Sequence, residues 1–311
     1  MDLDRLLGLT GIGPRSRALR GMIFMLISAF FGVVMSALIR GLSSDLHPFV
    51  IAFFRSLFGA IIFIPMLARY GVQPFRTGRP GRHFIRGLTN VAVILSSFMA
   101  LSLAPLAKVT ALHFTSPLFS TLLAVLLLGE VIRAHRIAAL VLGFAGTLAI
   151  VRPGIDGFDL GSSLAIVSAL AGAVSAIVVK ELSRTESSVT TVMYMSLVAS
   201  PMLLLCALPV WRTPTPTEFL WLLALGLVGT ITHLTTNQAL KETDVSYTQT
   251  MRYTQLIWAA AVGYLAFGEI PDVWTWVGGI MVAVSAAYIG YREHREMEAE
   301  ARKKGSTGVD P

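Results

Sequence analysis

The sequence predicts an all-α polytopic membrane protein, with ten transmembrane helices arranged as two inverted five-helix repeats. Three observations support this fold class: 54% hydrophobic against only 14% charged residues, recurring apolar runs of about 20 residues, and an internal similarity between the two halves. Soluble domains carry about 25% charged residues, so the composition excludes that class. The runs are long enough to span a bilayer as helices, and they are continuous rather than alternating, which excludes a membrane β-barrel.

The apolar spans divide the chain into five consecutive parts. A short basic arm precedes the first span, a Gly/Pro/Asp-rich linker separates two sets of five spans, and a charged helical extension follows the last. The parts are a cytoplasmic N-terminal arm (1–20), a first repeat (21–152), the linker (153–159), a second repeat (160–291) and a cytoplasmic tail (292–311). The predicted spans are 21–39, 48–68, 87–104, 109–129, 137–151, 160–179, 189–210, 219–240, 246–268 and 273–291.

Basic residues are distributed unequally between the two sides that these spans define. With the N-terminus placed inside, 19 of the 25 Lys and Arg residues fall in inner segments, four in outer segments and two, Arg55 and Arg252, within spans. This asymmetry is typical of a multi-pass protein of the cytoplasmic (inner) membrane with both termini in the cytoplasm. The net charge of +7 is therefore a topology signal and does not indicate a nucleic-acid partner. Residues 1–20 lack an apolar core, so no cleavable signal peptide is expected.

The second half of the chain repeats the first at an offset of 139 or 140 residues. Ser28 and Gly32 of the first span recur as Ser168 and Gly172 of the sixth, and small residues at this spacing let helices approach closely. Each copy holds an odd number of spans, so the second must enter the membrane in the opposite sense, as in many secondary transporters with alternating access. The ninth span repeats the fourth: Arg252 corresponds to His113, Gln255 to Ser116, and Gly268-Glu269 to Gly129-Glu130.

The chain combines four features: the ten spans, the inverted duplication, the sequence Phe53-Phe54-Arg55-Ser56-Leu57, and the Gly-Glu pairs that close the fourth and ninth spans. Together they resemble the drug/metabolite transporter superfamily, EamA-type branch. The resemblance covers about residues 20–292 and implies a secondary transporter of a small metabolite, not an enzyme, without a cofactor. It implies a small-molecule substrate and the lipid bilayer as partners, and it leaves a homodimer open. Residues 252–256 look most like bacterial members assigned to riboflavin or S-adenosylmethionine uptake.

Arg252 is the main candidate for substrate contact, because a guanidinium at membrane depth is costly unless it faces a polar cavity or a partner. It suits a carboxylate or a phosphate, whereas the alternative is a structural arginine that reaches the inner interface. Thr248 and Gln255 share its helix face, and Trp258 offers a stacking surface or simple packing. The other substrate-binding candidates are His113, His233, Asn237 and Asn90, for which hydrogen bonding between helices is the alternative.

Five further residues are predicted to act in gating or in the structure. Arg55 lies about two turns into the second span, and no acid at membrane depth neutralises it, so a structural or gate-lining role is favoured. Glu130 and Glu269 close their spans beside glycines, which favours pairing at a gate or a helix end over substrate contact. Gly32 and Gly172 would let helices of the two halves slide past one another.

Within the predicted spans there are two arginines, two histidines and no acid. A desolvated site of that sign favours an anionic, zwitterionic or flavin-like ligand and disfavours a cation such as S-adenosylmethionine. An S-adenosylmethionine carrier and an amphipathic drug or amino-acid carrier remain the alternatives within the superfamily. A membrane receptor or scaffold is the alternative outside it. The histidines show no metal-ligand spacing, so no metal site is expected. The cavity is predicted to lie between spans one, three, four, six, eight and nine.

Overall fold

The computed structural model describes residues 14–65, 76–116, 134–151, 159–183, 185–242 and 254–306, together with the single positions 71, 119 and 123. Within these ranges the chain is helical with short connections and contains no strand, which confirms the all-helical class. The helices are α1 (Pro14–Leu42), α2 (Pro48–Ile61), α3 (Pro80–Leu103), α4 (Leu106–His113), α5 (Ala134–Val151), α6 (Leu160–Ser183), α7 (Ser188–Ala207), α8 (Pro216–Glu242), α9 (Thr254–Phe267) and α10 (Val273–Ser306).

The apolar segments of these helices fit a bilayer. In the described part of the chain, α1, α3, α6, α7 and α8 each contain a segment long and apolar enough to cross a membrane, and α2, α5, α9 and α10 hold shorter apolar segments. Large apolar side chains lie on the perimeter of the bundle, such as Leu265, which is 81% exposed, and Phe144, which is 63% exposed. Such a surface requires lipid. The predicted fourth span, 109–129, lies mostly outside the described residues.

Capping residues determine where several helices begin. Pro48 and Pro80 occupy first-turn positions, where a missing N–H costs nothing. The side chain of Ser187 accepts a hydrogen bond from the Thr190 amide at 3.0 Å at the start of α7, and Asp159 accepts one from the Ser162 amide at 2.6 Å at the start of α6. Such N-caps satisfy amides that have no partner within the helix.

The start of α3 corrects the sequence analysis. The third span was predicted to begin at residue 87, after an inner loop that ends at Arg86, whereas the helix begins at Pro80. His83 and Arg86 therefore lie inside α3, and both are buried. Both residues were placed between the second and third predicted spans, although Pro80 signals the first turn of a helix.

Helices from the two halves of the chain pack against one another in reciprocal pairs. α1 packs on α8, and α6 packs on α3. α1 also contacts α9, and α6 contacts α4. α2 and α7 pack on each other, and so do α5 and α10. The α5–α10 contact is close at Gly146 and Gly278, where a Cβ at either residue would lie under 3.0 Å from the other's carbonyl oxygen. Close contact between small residues is the usual means of joining helices in lipid.

Candidate functional site

Arg55 lies at the centre of a buried polar region between α2 and α8. Its side chain is 4% exposed, and its Nε has no hydrogen-bond partner among the described residues. Gly229 on α8 makes room for the guanidinium, because a Cβ there would lie 2.9 Å from Arg55 Nε and 3.2 Å from Nη2. A side chain at position 229 would therefore displace the arginine head group.

Arg86 on α3 brings a second guanidinium into the same region. It is 6% exposed, and its Nη1 donates a hydrogen bond of 2.6 Å to Ser175 Oγ on α6, while its Nε has no partner in the described ranges. The charges of Arg55 and Arg86 act on one another. Asn90, one turn further along α3, is 3% exposed, and its Nδ2 also lacks a described partner.

His233 on α8 is half-buried, and it completes what we call the buried basic group, defined as Arg55, Arg86 and His233. The charges of both arginines act on His233. Helical spacing places Gly229, His233 and Asn237 on one face of α8, and Asn237 is 7% exposed. Among the described residues, no acid acts electrostatically on Arg55, Arg86 or His233.

The structure brings some of the predicted substrate-binding residues together and separates others. His233 and Asn90 lie on the helices that carry the buried basic group, whereas Gln255 lies on α9 against α1, where a Cβ at Gly32 would be 3.0 Å from Gln255 Nε2. His113 ends α4 and is half-buried. Trp258 is 44% exposed and packs edge-on against Phe30 at a centroid distance of 5.6 Å. Arg252, Thr248 and Glu130 fall outside the described residues.

Glu269 joins several helices at one end of the bundle. Gly268 has a φ of +64°, and this left-handed turn after α9 favours glycine. The turn directs Glu269 back into the bundle, where its Oε1 lies 3.1 Å from Arg40 Nη2 and its Oε2 accepts a 2.8 Å hydrogen bond from the Leu106 amide. Arg40 Nη1 also donates to the Leu101 carbonyl at 2.9 Å. We call Arg40, Glu269 and the Leu106 amide the end latch.

A second ion pair lies beside the end latch. Lys108 Nζ is 2.9 Å from Asp159 Oδ2. Burial raises the pKa of Asp159, but hydrogen bonds from Lys108 and Ser162 and the positive charge of Lys108 lower it by more, so the pKa lies below its ordinary value. The stabilisation is therefore present above the unfolded-state pKa and is lost as pH falls through the lower folded-state pKa. A cavity of about 210 Å³ opens here, lined in part by Lys108, Gly263 and Glu269.

Ionic contacts also lie at the opposite end, where α3 begins. Arg82 pairs with Glu181 of α6, and Thr77 Oγ1 donates a 2.6 Å hydrogen bond to Glu186 Oε1. His83 stacks on Tyr194 of α7 at a centroid distance of 4.6 Å, and its Nε2 lies 3.9 Å from Glu186 Oε1. These contacts join the beginning of α3 to α6, to the α6–α7 connection and to α7.

Sequence reasoning missed two residues of these sites. Arg86 fell between the second and third predicted spans, and Arg40 between the first and second, so neither was a candidate residue. The Pro80 signal was available for the first. For the second no local signal existed, because Arg40 and Glu269 lie 229 positions apart in the sequence.

Comparison with known proteins places these features in context. The profile of the EamA-like transporter family matches residues 19–152 and, separately, residues 159–291. An S-adenosylmethionine uptake transporter of Rickettsia prowazekii is 29% identical, over 91% of this chain and 96% of the relative. A riboflavin transporter of Vibrio cholerae is 30% identical, over 91% and 96%. A pseudopaline exporter of Pseudomonas aeruginosa is 28% identical, over 85% and 94%.

A solved crystal structure of another protein shares the fold. It superposes with a TM-score of 0.61 at 21% sequence identity, and the match covers 89% of this chain and 97% of the other. At that identity the likeness concerns the fold alone.

Proposed function

The chain belongs to the EamA-like transporter family and is a transporter of small metabolites, and from this premise we propose that it works by alternating access between two inverted repeats. The observation that carries the proposal is a set of reciprocal contacts between the halves. Ser28 Oγ donates to the Thr232 carbonyl at 3.1 Å, and Ser168 Oγ donates to the Val93 carbonyl at 3.2 Å. Ser168 corresponds to Ser28 and Thr232 corresponds to Val93 at the 139–140 offset, so the two contacts are equivalent in the two halves.

Two further reciprocal contacts support the same arrangement. A Cβ at Gly32 would meet Gln255, and one at Gly172 would lie 3.5 Å from Ser116 Oγ. These residues also correspond at the repeat offset. Equivalent contacts made in both directions are what a two-fold axis between the halves produces, and an odd number of helices per half places that axis in the membrane plane. The proposed repeats are residues 21–152 and 160–291, with ten transmembrane helices and both termini in the cytoplasm.

Cysteine labelling tests the inverted orientation. In a Cys206→Ala background, Lys108→Cys and Lys241→Cys follow the third and the eighth spans, which are equivalent in the two repeats. We expect an impermeant thiol reagent to label position 108 only from outside intact cells, and position 241 only after permeabilisation. Labelling of both positions from the same side would show parallel repeats and exclude the proposed mechanism.

The proposed substrate is a small anionic, zwitterionic or flavin-like metabolite. Arg55 and Arg86 are buried, and among the described residues no acid acts on either, so they stabilise negative charge and repel a cation. The riboflavin transporter among the relatives supports the flavin-like class. S-adenosylmethionine is the second candidate, because several relatives at 29–30% identity are named for its uptake. Its carboxylate suits an arginine, whereas its sulfonium does not. The proposed substrate-binding residues carried forward from the sequence are Arg252, Thr248, His113, Gln255, His233, Asn237, Trp258 and Asn90.

The end latch is the proposed gate at the outer end. It joins Arg40 of the first repeat to Glu269 of the second, and a carrier must break such contacts to open. Glu130 is the repeat equivalent of Glu269, and we propose the same role for it at the other end.

Counterflow in proteoliposomes tests the function. Vesicles loaded with an unlabelled metabolite should accumulate the same labelled metabolite when the active chain is present, for riboflavin or for an anionic or zwitterionic metabolite of similar size. Arg252→Ala should abolish counterflow while the purified chain keeps its thermal unfolding transition. Exchange of organic cations alone would contradict the proposed substrate class, and normal counterflow by Arg252→Ala would contradict the assignment of that residue.

A further inference from the structure

We infer that Arg55 and Arg86, assisted by His233, form a binding site for an oxyanion group, the carboxylate or phosphate of the transported metabolite. The inference rests on the transport function proposed above and specifies which part of the substrate the protein holds. It also moves Arg55 from the gating role expected from the sequence to the substrate site.

The burial of two like charges is the first argument. Arg55 and Arg86 are 4% and 6% exposed, the positive charge of Arg55 acts on Arg86, and among the described residues no acid pairs with either. Two such cations are costly in a low-dielectric interior unless a negative group joins them. A fold that only needed interhelical packing would be more stable with apolar residues at both positions.

The second argument is that donors in this region remain unused. Arg55 Nε, Arg86 Nε and Asn90 Nδ2 are buried and have no hydrogen-bond partner among the described residues. Buried donors are normally satisfied, because leaving one without a partner costs free energy. Guanidinium groups bind carboxylates and phosphates through parallel N–H donors, so one oxyanion would satisfy several of these atoms at once.

The third argument is the position of the group between the halves. Arg55 and Arg86 lie on α2 and α3 of the first half, His233 lies on α8 of the second, and Ser175 of α6, also in the second half, accepts the hydrogen bond from Arg86. Gly229 leaves space for the guanidinium of Arg55. A ligand held here would contact both halves, as the substrate of an inverted-repeat carrier does.

Two matched pairs of probes test the oxyanion and the effect of a cation separately. Riboflavin and flavin mononucleotide differ by one phosphate, and S-adenosylmethionine and S-adenosylhomocysteine differ by the methyl group that makes the sulfonium. Inhibition of counterflow should be about 10–100-fold stronger for flavin mononucleotide than for riboflavin, the range expected for charge-assisted hydrogen bonds. S-adenosylhomocysteine should inhibit at least as well as S-adenosylmethionine.

Arg55→Met and Arg86→Met, which keep volume and remove charge, should each abolish the preference for flavin mononucleotide. The Tm of each variant should stay constant or rise by about 2–4 °C, because like-charge repulsion is relieved. Arg82→Met is the control on the same helix, since Arg82 is half-exposed and pairs with Glu181, and it should keep the preference. Arg55→Lys retains the positive charge but lacks the parallel N–H donors of a guanidinium, so it should keep part of the preference for flavin mononucleotide.

A wild-type chain that transports but does not distinguish flavin mononucleotide from riboflavin overturns the inference and leaves the transport function intact. Retention of the preference by Arg55→Met and Arg86→Met overturns it equally. If both variants fail to fold, the arginines hold the structure together and the inference is wrong. Absence of counterflow with every metabolite contradicts the transport proposal itself, so the two failures are distinguishable.

Discussion

Gly87→Ala is expected to destabilise the protein by about 1–3 kcal/mol, the usual range for forcing a methyl group into a closely packed interface. A Cβ at Gly87 would lie 2.3 Å from Val198 Cγ1 and 2.5 Å from Val198 Cβ. A side-chain rotation can move Cγ1 but not Cβ, so α3 and α7 must separate. The gain in helix propensity on replacing glycine, about 1 kcal/mol, does not offset this strain.

Thermal unfolding in detergent measures the effect, and we expect Tm to fall by about 2–4 °C for each kcal/mol. Gly81→Ala is the matched control on the same helix, because a Cβ there meets nothing within 4 Å, and it should leave Tm unchanged or raise it slightly. If the Tm of Gly87→Ala equals the Tm of Gly81→Ala, the contact between α3 and α7 is loose.

The same substitution in the second half should have a similar effect. A Cβ at Gly226 would lie 2.5 Å from Phe58 Cβ, and Gly226 corresponds to Gly87 at the 139-residue offset. Phe58 and Val198 correspond at 140. If the halves are related as proposed, Gly226→Ala and Gly87→Ala lower stability by comparable amounts, since each separates equivalent helices.

The membrane class and the helix positions could be predicted because they depend on local composition. Continuous apolar runs locate helices in a bilayer, and proline or a capping side chain marks their first turns. The structure agrees for α2 at Pro48 and α6 at Leu160. The error at α3 arose because its first turns carry charge: Arg82 reaches Glu181 while Arg86 is buried one turn later, and sequence alone does not distinguish these environments.

The site was less predictable, because it depends on which helices meet. The sequence identified His233, Asn237 and Asn90 as polar residues on apolar helices, but not that Arg55 and Arg86 lie close enough to His233 to act on it. The structure places Arg55 of α2 against Gly229 of α8, a contact that the sequence did not indicate. Interhelical pairing in lipid follows from the fit of small and large side chains, and that fit is a property of two sequences far apart in the chain.

Glu269→Ala is expected to open the end latch. The substitution removes the partner of Arg40 and the acceptor of the Leu106 amide, groups that hold α1, α4 and the end of α9 together. A hydrogen bond to a charged group contributes about 1.5–3 kcal/mol. Its loss should raise the population of states open at this end by about 10–100-fold.

The accessibility of a buried position reports that change. Ala107 is 4% exposed and lines the cavity beside the latch, so Ala107→Cys in a Cys206→Ala chain should react slowly with a thiol reagent. Adding Glu269→Ala should accelerate the reaction about 10-fold or more, and Glu269→Gln, which keeps one acceptor but no charge, should have an intermediate effect.

The control and a double variant separate gating from general loosening. Asp45 lies at the same end in the connection after α1, where its side chain accepts a hydrogen bond from Ser44 Oγ, so Asp45→Ala should leave the reaction rate unchanged. Arg40→Met should accelerate it, and the double variant Arg40→Met/Glu269→Ala should accelerate it by less than the two single effects combined, because both changes break the Arg40–Glu269 pair. Equal rates with and without Glu269 would mean that the Lys108–Asp159 pair alone closes this end.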